Sequence, residues 1–251
     1  MNLKNTKFKA GLYAVPGIPL IKAGDDIAQI IYRCARKDRF VFNDRDIIVV
    51  THKIVSKAEN ALVKLSEITP SIYAHYLAEK TGRDPRLCQV YINESREILG
   101  VNGRHIITRH RLGFVGTGAG VDRSNVSPGK EETVCLLPRD PDKSARKIRS
   151  KLKKLTQKEM AVIICDTFGN EFRNHSISFA IGIAGINPQA TKDTVDLYAN
   201  PKQTLTAQAD EIAAAAGMLM GQANESFPVV IIRGIEYTVS EDANIKDVLV
   251  E

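Results

Sequence analysis

Three apolar runs constrain this fold most: "DIIVVT" (Asp46–Thr51), "MAVIICD" (Met160–Asp166) and "PVVIIR" (Pro228–Arg233). Each reads as a strand buried among other elements. "SISFAIGIAGI" predicts another strand, and "FKAGLYAVPG" opens the chain with a strand broken at Pro16, Gly17 and Pro19. Helical segments lie between them. Asp25 or Asp26 caps "IAQIIYRCA". "TPSIYAHYLAEKTG" predicts a helix with Thr69 at its cap, Pro70 at its first position and Gly82 at its end. "DPRLCQVYINES" and the alanine-rich "AQADEIAAAAGMLMGQ" predict two more. The mixture predicts an α/β or α+β fold.

Between these elements the texture changes. "REILGVNGRHIITRHRLGFVGTGAGVDRSNVSPG" predicts short strands parted by glycine-rich turns, with Asn102-Gly103 closing a hairpin. "EETVCLLP" predicts an extended segment ended by Pro138. The chain is therefore expected to divide into 1–97, the first part of a main domain, 98–205, a central inserted lobe, and 206–251, a helix and strand returning to the main domain.

At 251 residues, 43% hydrophobic and 25% charged, the chain has material for a substantial core and is not disordered. No apolar stretch is long enough to span a membrane, and the N-terminus lacks a signal-peptide core. A cytoplasmic protein without a membrane partner is the expectation. Cys34, Cys88, Cys135 and Cys165 are too scattered for a paired metal-ligand motif and read as reduced thiols. Much of the formal +6 charge sits in "KSARKIRSKLKKLTQK" (Lys143–Lys158), whose Ile148, Leu152 and Leu155 recur at helical spacing. This basic helix presents a solvated face or attracts anionic small substrates. No recognition motif argues for nucleic acid.

Chemistry is concentrated elsewhere. Asp166 and Thr167 follow a buried run and precede Gly169. A carboxylate beside a hydroxyl suits a divalent cation and phosphate oxygens, or else caps the end of the strand. In "GTGAGVDRSNV", Gly116, Gly118 and Gly120 allow close backbone approach beside Asp122, Ser124 and Asn125. The stretch fits a structural hairpin as well as a site. Gly221 and Gln222 follow a helix, either as a cap or as a source of an amide oxygen. Asp210 and Glu211 suit that helix's first turn. His52, Lys53, Ser56 and Lys57 follow a strand, and Lys57 suits a phosphate. Arg173 and His175 follow the Asp-Thr pair, as surface groups or as contacts to an acidic substrate.

Taken in order, "PGIPLIKAGDD", "THKIVSKAEN", "GAGVDRSNV", "LLPRDPDKSA", "CDTFGNEFR", "AIGIAG" and "ADEIAAAAGMLMGQ" resemble the coenzyme F-420:L-glutamate ligase family over nearly the full chain. The resemblance implies a mixed α/β fold, an intertwined homodimer, and GTP-dependent attachment of L-glutamate to a deazaflavin precursor through an acyl phosphate. It implies two divalent cations, magnesium or manganese, on Asp122, Asp166, Thr167 and Gln222, with a monovalent cation as a further candidate. It sets the nucleotide against Ile18, Pro19, Leu20, Ile21, His52, Lys53, Lys57 and Asn125. Over it would close the loop of Met220, Gly221, Gln222, Ala223, Asn224, Glu225, Ser226 and Phe227. Asp122, Asp166, Lys57 and Arg173 become the catalytic candidates. The chain departs from the family pattern at Asn60, Gly116-Thr117-Gly118, Asn170 and Asn174-His175. These departures bear on the acceptor, so a folate acceptor, or a non-catalytic nucleotide- or pterin-binding homologue, stands beside the deazaflavin reading.

Overall fold

The computed structural model describes residues 10–126, 132–169 and 175–249, with Lys192 and Thr194 described as backbone alone. In chain order its elements are β1 (Gly11–Ala14), α1 (Ile27–Lys37), β2 (Ile47–Thr51), α2 (His52–Ala58), β3 (Leu62–Lys64), α3 (Ile72–Thr81) and α4 (Pro85–Glu94). There follow β4 (Ser95–Asn102), β5 (His105–His110), β6 (Val115–Thr117), β7 (Thr133–Cys135), α5 (Pro141–Thr156), β8 (Ala161–Gly169) and β9 (Ser176–Ala184). β10 (Ala190–Val195), β11 (Pro201–Thr206), α6 (Gln208–Met220) and β12 (Val229–Arg233) complete the series. The fold is mixed α/β, as expected.

The central sheet has the order β1-β12-β2-β8-β9. Only β2 and β8 run parallel; the other pairs are antiparallel. Ile47–Val50 and Val229–Ile231 are entirely buried. Successive strand residues face opposite ways, so the sheet is covered on both sides. The covers are α1 with α5, and α6. Gly182 of β9 shows how tightly α5 seats: a Cβ there would meet the Pro141 backbone at 2.5 Å.

A second, smaller core joins α3 and α4 to β5 and β7 through Leu77, Leu87, Cys88, Tyr91, Ile106 and Val134. The segment 98–205 is thus shared: β8 and β9 lie in the central sheet, while β4, β5 and β6 form a sheet of their own.

Several local expectations shift. The α3 cap is Ser71, whose hydroxyl accepts from Ala74 N, rather than Thr69; Gly82 ends the helix in the left-handed region as expected. Asp26, not Asp25, caps α1. Asn102 pairs with His105, so Gly103-Arg104 form the hairpin tip. The basic run is α5, and its charges are answered by carboxylates: Lys151 by Asp26, Lys153 by Glu159, and Arg149 by Glu159 and Glu241. That is the solvated, ion-paired face. The hairpin β10–β11 has no counterpart in the apolar pattern. Among the described residues, no helix is long and apolar enough to cross a membrane.

Candidate active site at a strand junction

The parallel pairing of β2 with β8 ends at Thr51 and Cys165. Beyond it β2 turns into α2, while β8 runs on beside β9 to Gly169. The strand expected to end at Asp166 is therefore longer than the apolar run suggests. Asp166 and Thr167 pair with Phe179 and Ser178 inside a continuing ladder. They stand where the neighbouring strand has just left, and such a divergence opens a crevice at the carboxyl ends of strands.

Asp166 is buried, and its Oδ1 accepts from the Thr167 amide at 2.6 Å. His52 lies behind it, 1% exposed, with Nε2 3.2 Å from the same oxygen but without hydrogen-bond alignment. Thr167 Oγ1 lies 3.1 Å from Ser178 Oγ and accepts from Gln222 Nε2 at 3.2 Å.

Asp122 reaches the same place from a loop. A single backbone bridge to Cys135 holds its main chain. Oδ1 accepts from Ser124 N at 2.8 Å and Ser124 Oγ at 2.9 Å, and Oδ2 meets Lys53 Nζ at 2.6 Å. Burial raises this carboxyl's pKa, but Lys53 and Ser124 outweigh it and hold it below the usual range. Lys57 donates to Asn125 O, and burial, its largest influence, pulls its ammonium pKa down. Asn125 in turn donates to Ala223 O at 2.8 Å, tying the glycine-rich stretch to the loop after α6.

A cavity of about 350 Å³ opens on this junction. Ile18, Pro19, Leu20 and Ile21 line it, with Lys53, Lys57, Asn125, Met220, Gly221, Gln222, Ala223, Asn224, Ser226 and Phe227, and with Asp122, Asp166 and Thr167. Of the expected nucleotide contacts, His52 lies beneath Asp166 rather than in the wall. Glu225 also stays outside, accepting from Ala223 N at 2.8 Å. Arg173 falls outside the described residues. Cys165 lines the cavity too, and burial pushes its thiol up to about 12.

A second cavity, about 390 Å³, lies beside the first and shares Asp122, Ser124, Asp166 and Thr167 with it. Arg83, Tyr91, His105 and Arg123 line its remaining wall, with Gly118, Gly120 and Phe168. The sequence reading singled out Gly118 and Gly120 but missed Arg83, Tyr91, His105, Arg123 and Phe168. Arg123 adjoins Asp122 in "GVDRSN", which was a usable signal. Arg83 precedes a helix and His105 follows a turn; nothing local marks either one.

The donors at the junction are carboxylate, hydroxyl and amide groups. Oxygen donors suit hard cations such as magnesium, which bind through one or two carboxylates and take further oxygens from phosphate and water. Among the described residues, no cluster of three His, Cys, Asp or Glu side chains forms a closed cage.

The family model for F420-0:Gamma-glutamyl ligase matches residues 17–234. The coenzyme F420:L-glutamate ligase of Methanothermobacter thermautotrophicus is 44% identical over 241 residues, covering 95% of this chain and 94% of the relative. Enzymes of the same name from Methanopyrus kandleri and Methanocaldococcus jannaschii are 42% and 40% identical, each over 86% of this chain and over 83% and 85% of their own length. With this match over most of its length, the chain belongs to the F420-0:gamma-glutamyl ligase family and is an amide-forming ligase.

Proposed function

We propose that the protein is a metal- and GTP-dependent ligase that joins L-glutamate to a carboxylate of a coenzyme F420 precursor. One observation carries this reading: Asp122, Asp166, Thr167 and Gln222, distant in the chain, line one cavity with Lys53 and Lys57. Amide formation in water needs an activated acceptor. An oxygen of the acceptor carboxylate attacks the terminal phosphorus of GTP, and GDP leaves. The acyl phosphate then meets the glutamate amine, freed of its ammonium proton. The C–N bond forms, phosphate departs with the C–O electron pair, and the nitrogen gives up a second proton.

In this reading the apolar wall Ile18–Ile21 and the loop Met220–Phe227 hold the nucleotide. Lys57 and Lys53 bring positive charge to its phosphates. Asp122, Asp166, Thr167 and Gln222 would hold divalent cations, which offset phosphate charge as the acceptor approaches. No protein nucleophile is required; positioning and electrostatics supply the acceleration. Arg173 stays an acceptor-side candidate on the strength of the resemblance. A homodimer belongs to the same reading. Val195, Leu197, Tyr198 and Leu205 expose apolar surface on the β10–β11 hairpin and its turn, which a second copy would cover.

The test is a mass-resolved assay with GTP, magnesium or manganese, L-glutamate and F420-0, with reduced folates as alternative acceptors. The expected outcome is an F420-0 product heavier by one glutamyl unit, with GDP and phosphate in equal amounts. Nucleotide binding without any glutamyl product would overturn the reading.

A further inference from the structure

The second cavity carries cationic groups that the nucleotide does not need. Arg83 Nε donates to Arg104 O at the β4–β5 hairpin tip at 2.7 Å, and its guanidinium stands 5.9 Å from the centre of the Tyr91 ring. Its contacts fix the side chain without neutralising it. Arg86, three residues on, is paired with both Asp84 and Glu132. Neither Arg83 nor Arg123 meets a carboxylate among the described residues; Arg123 is exposed, and both line the cavity and act electrostatically on Tyr91. Part of the lining is set by backbone. Gly118 and Gly120 have positive φ, and a Cβ on Gly120 would meet Leu137 at 2.8 Å.

An arginine fork without a protein partner is the standard recognition element for carboxylates. The ligase reading, on which this inference rests, supplies three carboxylates. The acceptor's is consumed, and must lie at the Asp122–Asp166 junction against the nucleotide's terminal phosphate. The two on L-glutamate pass through the reaction unchanged and need fixed counter-charges. The cavity brings such charges, Arg83 and Arg123, into one lining with the junction residues Asp122, Asp166 and Thr167. We infer that this second cavity is the L-glutamate subsite, with Arg83 and Arg123 holding its two carboxylates and the amine directed at the junction shared with the nucleotide cavity.

The test is steady-state kinetics on the full chain with R83Q and R123Q, and with R83K and R123K as charge-conserving variants. The expected result is a KM for L-glutamate raised about ten- to hundredfold in each glutamine variant, the range for losing a charged hydrogen bond. The KM for F420-0 and the affinity for GTP stay unchanged. The lysine variants recover part of the loss. R123Q is the cleaner variant, because Arg123 makes no hydrogen bond or ion pair among the described residues, whereas Arg83 also supports the hairpin tip. Wild type should reject L-glutamine, and the variants should discriminate less between the two amino acids. An unchanged glutamate KM, or a rise confined to the F420-0 KM, overturns the assignment while leaving the ligase reading intact. A wild-type protein that forms no glutamyl product sinks both.

Discussion

Two carboxylates meet at this junction by different means. Asp166 belongs to a continuous ladder: β8 is paired with β9 on one side, and β2 has just left on the other. Its position follows from the sheet. Asp122 has a single backbone bridge, and Ser124 and Lys53 hold its side chain. Its position follows from side-chain chemistry, which a single substitution can undo. A rigid floor and an adjustable wall suit a site that must close around one substrate and then admit another.

The largest expected effect is D166N. Turnover should fall roughly hundred- to thousandfold, the scale of losing one preorganised electrostatic group, with near-wild-type melting. Unchanged metal-dependent turnover would remove Asp166 from the chemistry. Next comes the floor itself. G182A drives a methyl into the Pro141 backbone and should cost about 1–3 kcal/mol or more in urea unfolding. G100A in β4 meets nothing within 4 Å and should stay within about 0.5 kcal/mol. Equal costs would mean that α5 does not seat tightly on β9 at Gly182.

On the wall, S124A removes the hydroxyl that supports Asp122 and should lower turnover about tenfold, with no loss of stability measurable by melting. An S124A enzyme as fast as wild type would mean the loop places Asp122 without it. The smallest effect is on pH-dependent stability. The folded pKa of Asp122 lies below its unfolded value, so its contribution is complete above pH ~4 and fades as pH falls through the folded value. Solvent screening of this partly exposed pair keeps that contribution to about 1 kcal/mol or less. Unfolding measured from pH 6 to pH 3 should therefore show wild type losing slightly more stability than K53M. A steeper loss in K53M would contradict the pairing.

The apolar runs of β2, β8 and β12 could be read in advance because four successive buried residues leave little choice of element. Caps were legible to within a residue or two: Ser71 rather than Thr69 receives the first turn, since the cap must present its oxygen to an amide three residues on. The β10–β11 hairpin went unseen because polar Thr191, Asp193, Lys202 and Gln203 share its strands, and no single apolar face marks it. Asp166-Thr167 stood out as a polar pair closing an apolar run, yet its strand continues, because β9 supplies the pairing that β2 withdraws.

Local chemistry alone specified which segments would be buried strands, which would form the longer helices, and which oxygen donors were on offer; the α2 helix (His52–Ala58) after β2 went unread. Convergence was a tertiary outcome. Asp122 joins Asp166 in one cavity lining because Cys135 bridges to Asp122 while β2 and β8 run side by side, and Arg83 joins Arg123 in the second lining because the small α3–α4 core packs against the glycine-rich loop. Periodicity and capping report on neighbours a few residues apart. Pairings between distant strands are chosen by the burial and hydrogen bonding of the whole chain, so no short stretch could reveal them.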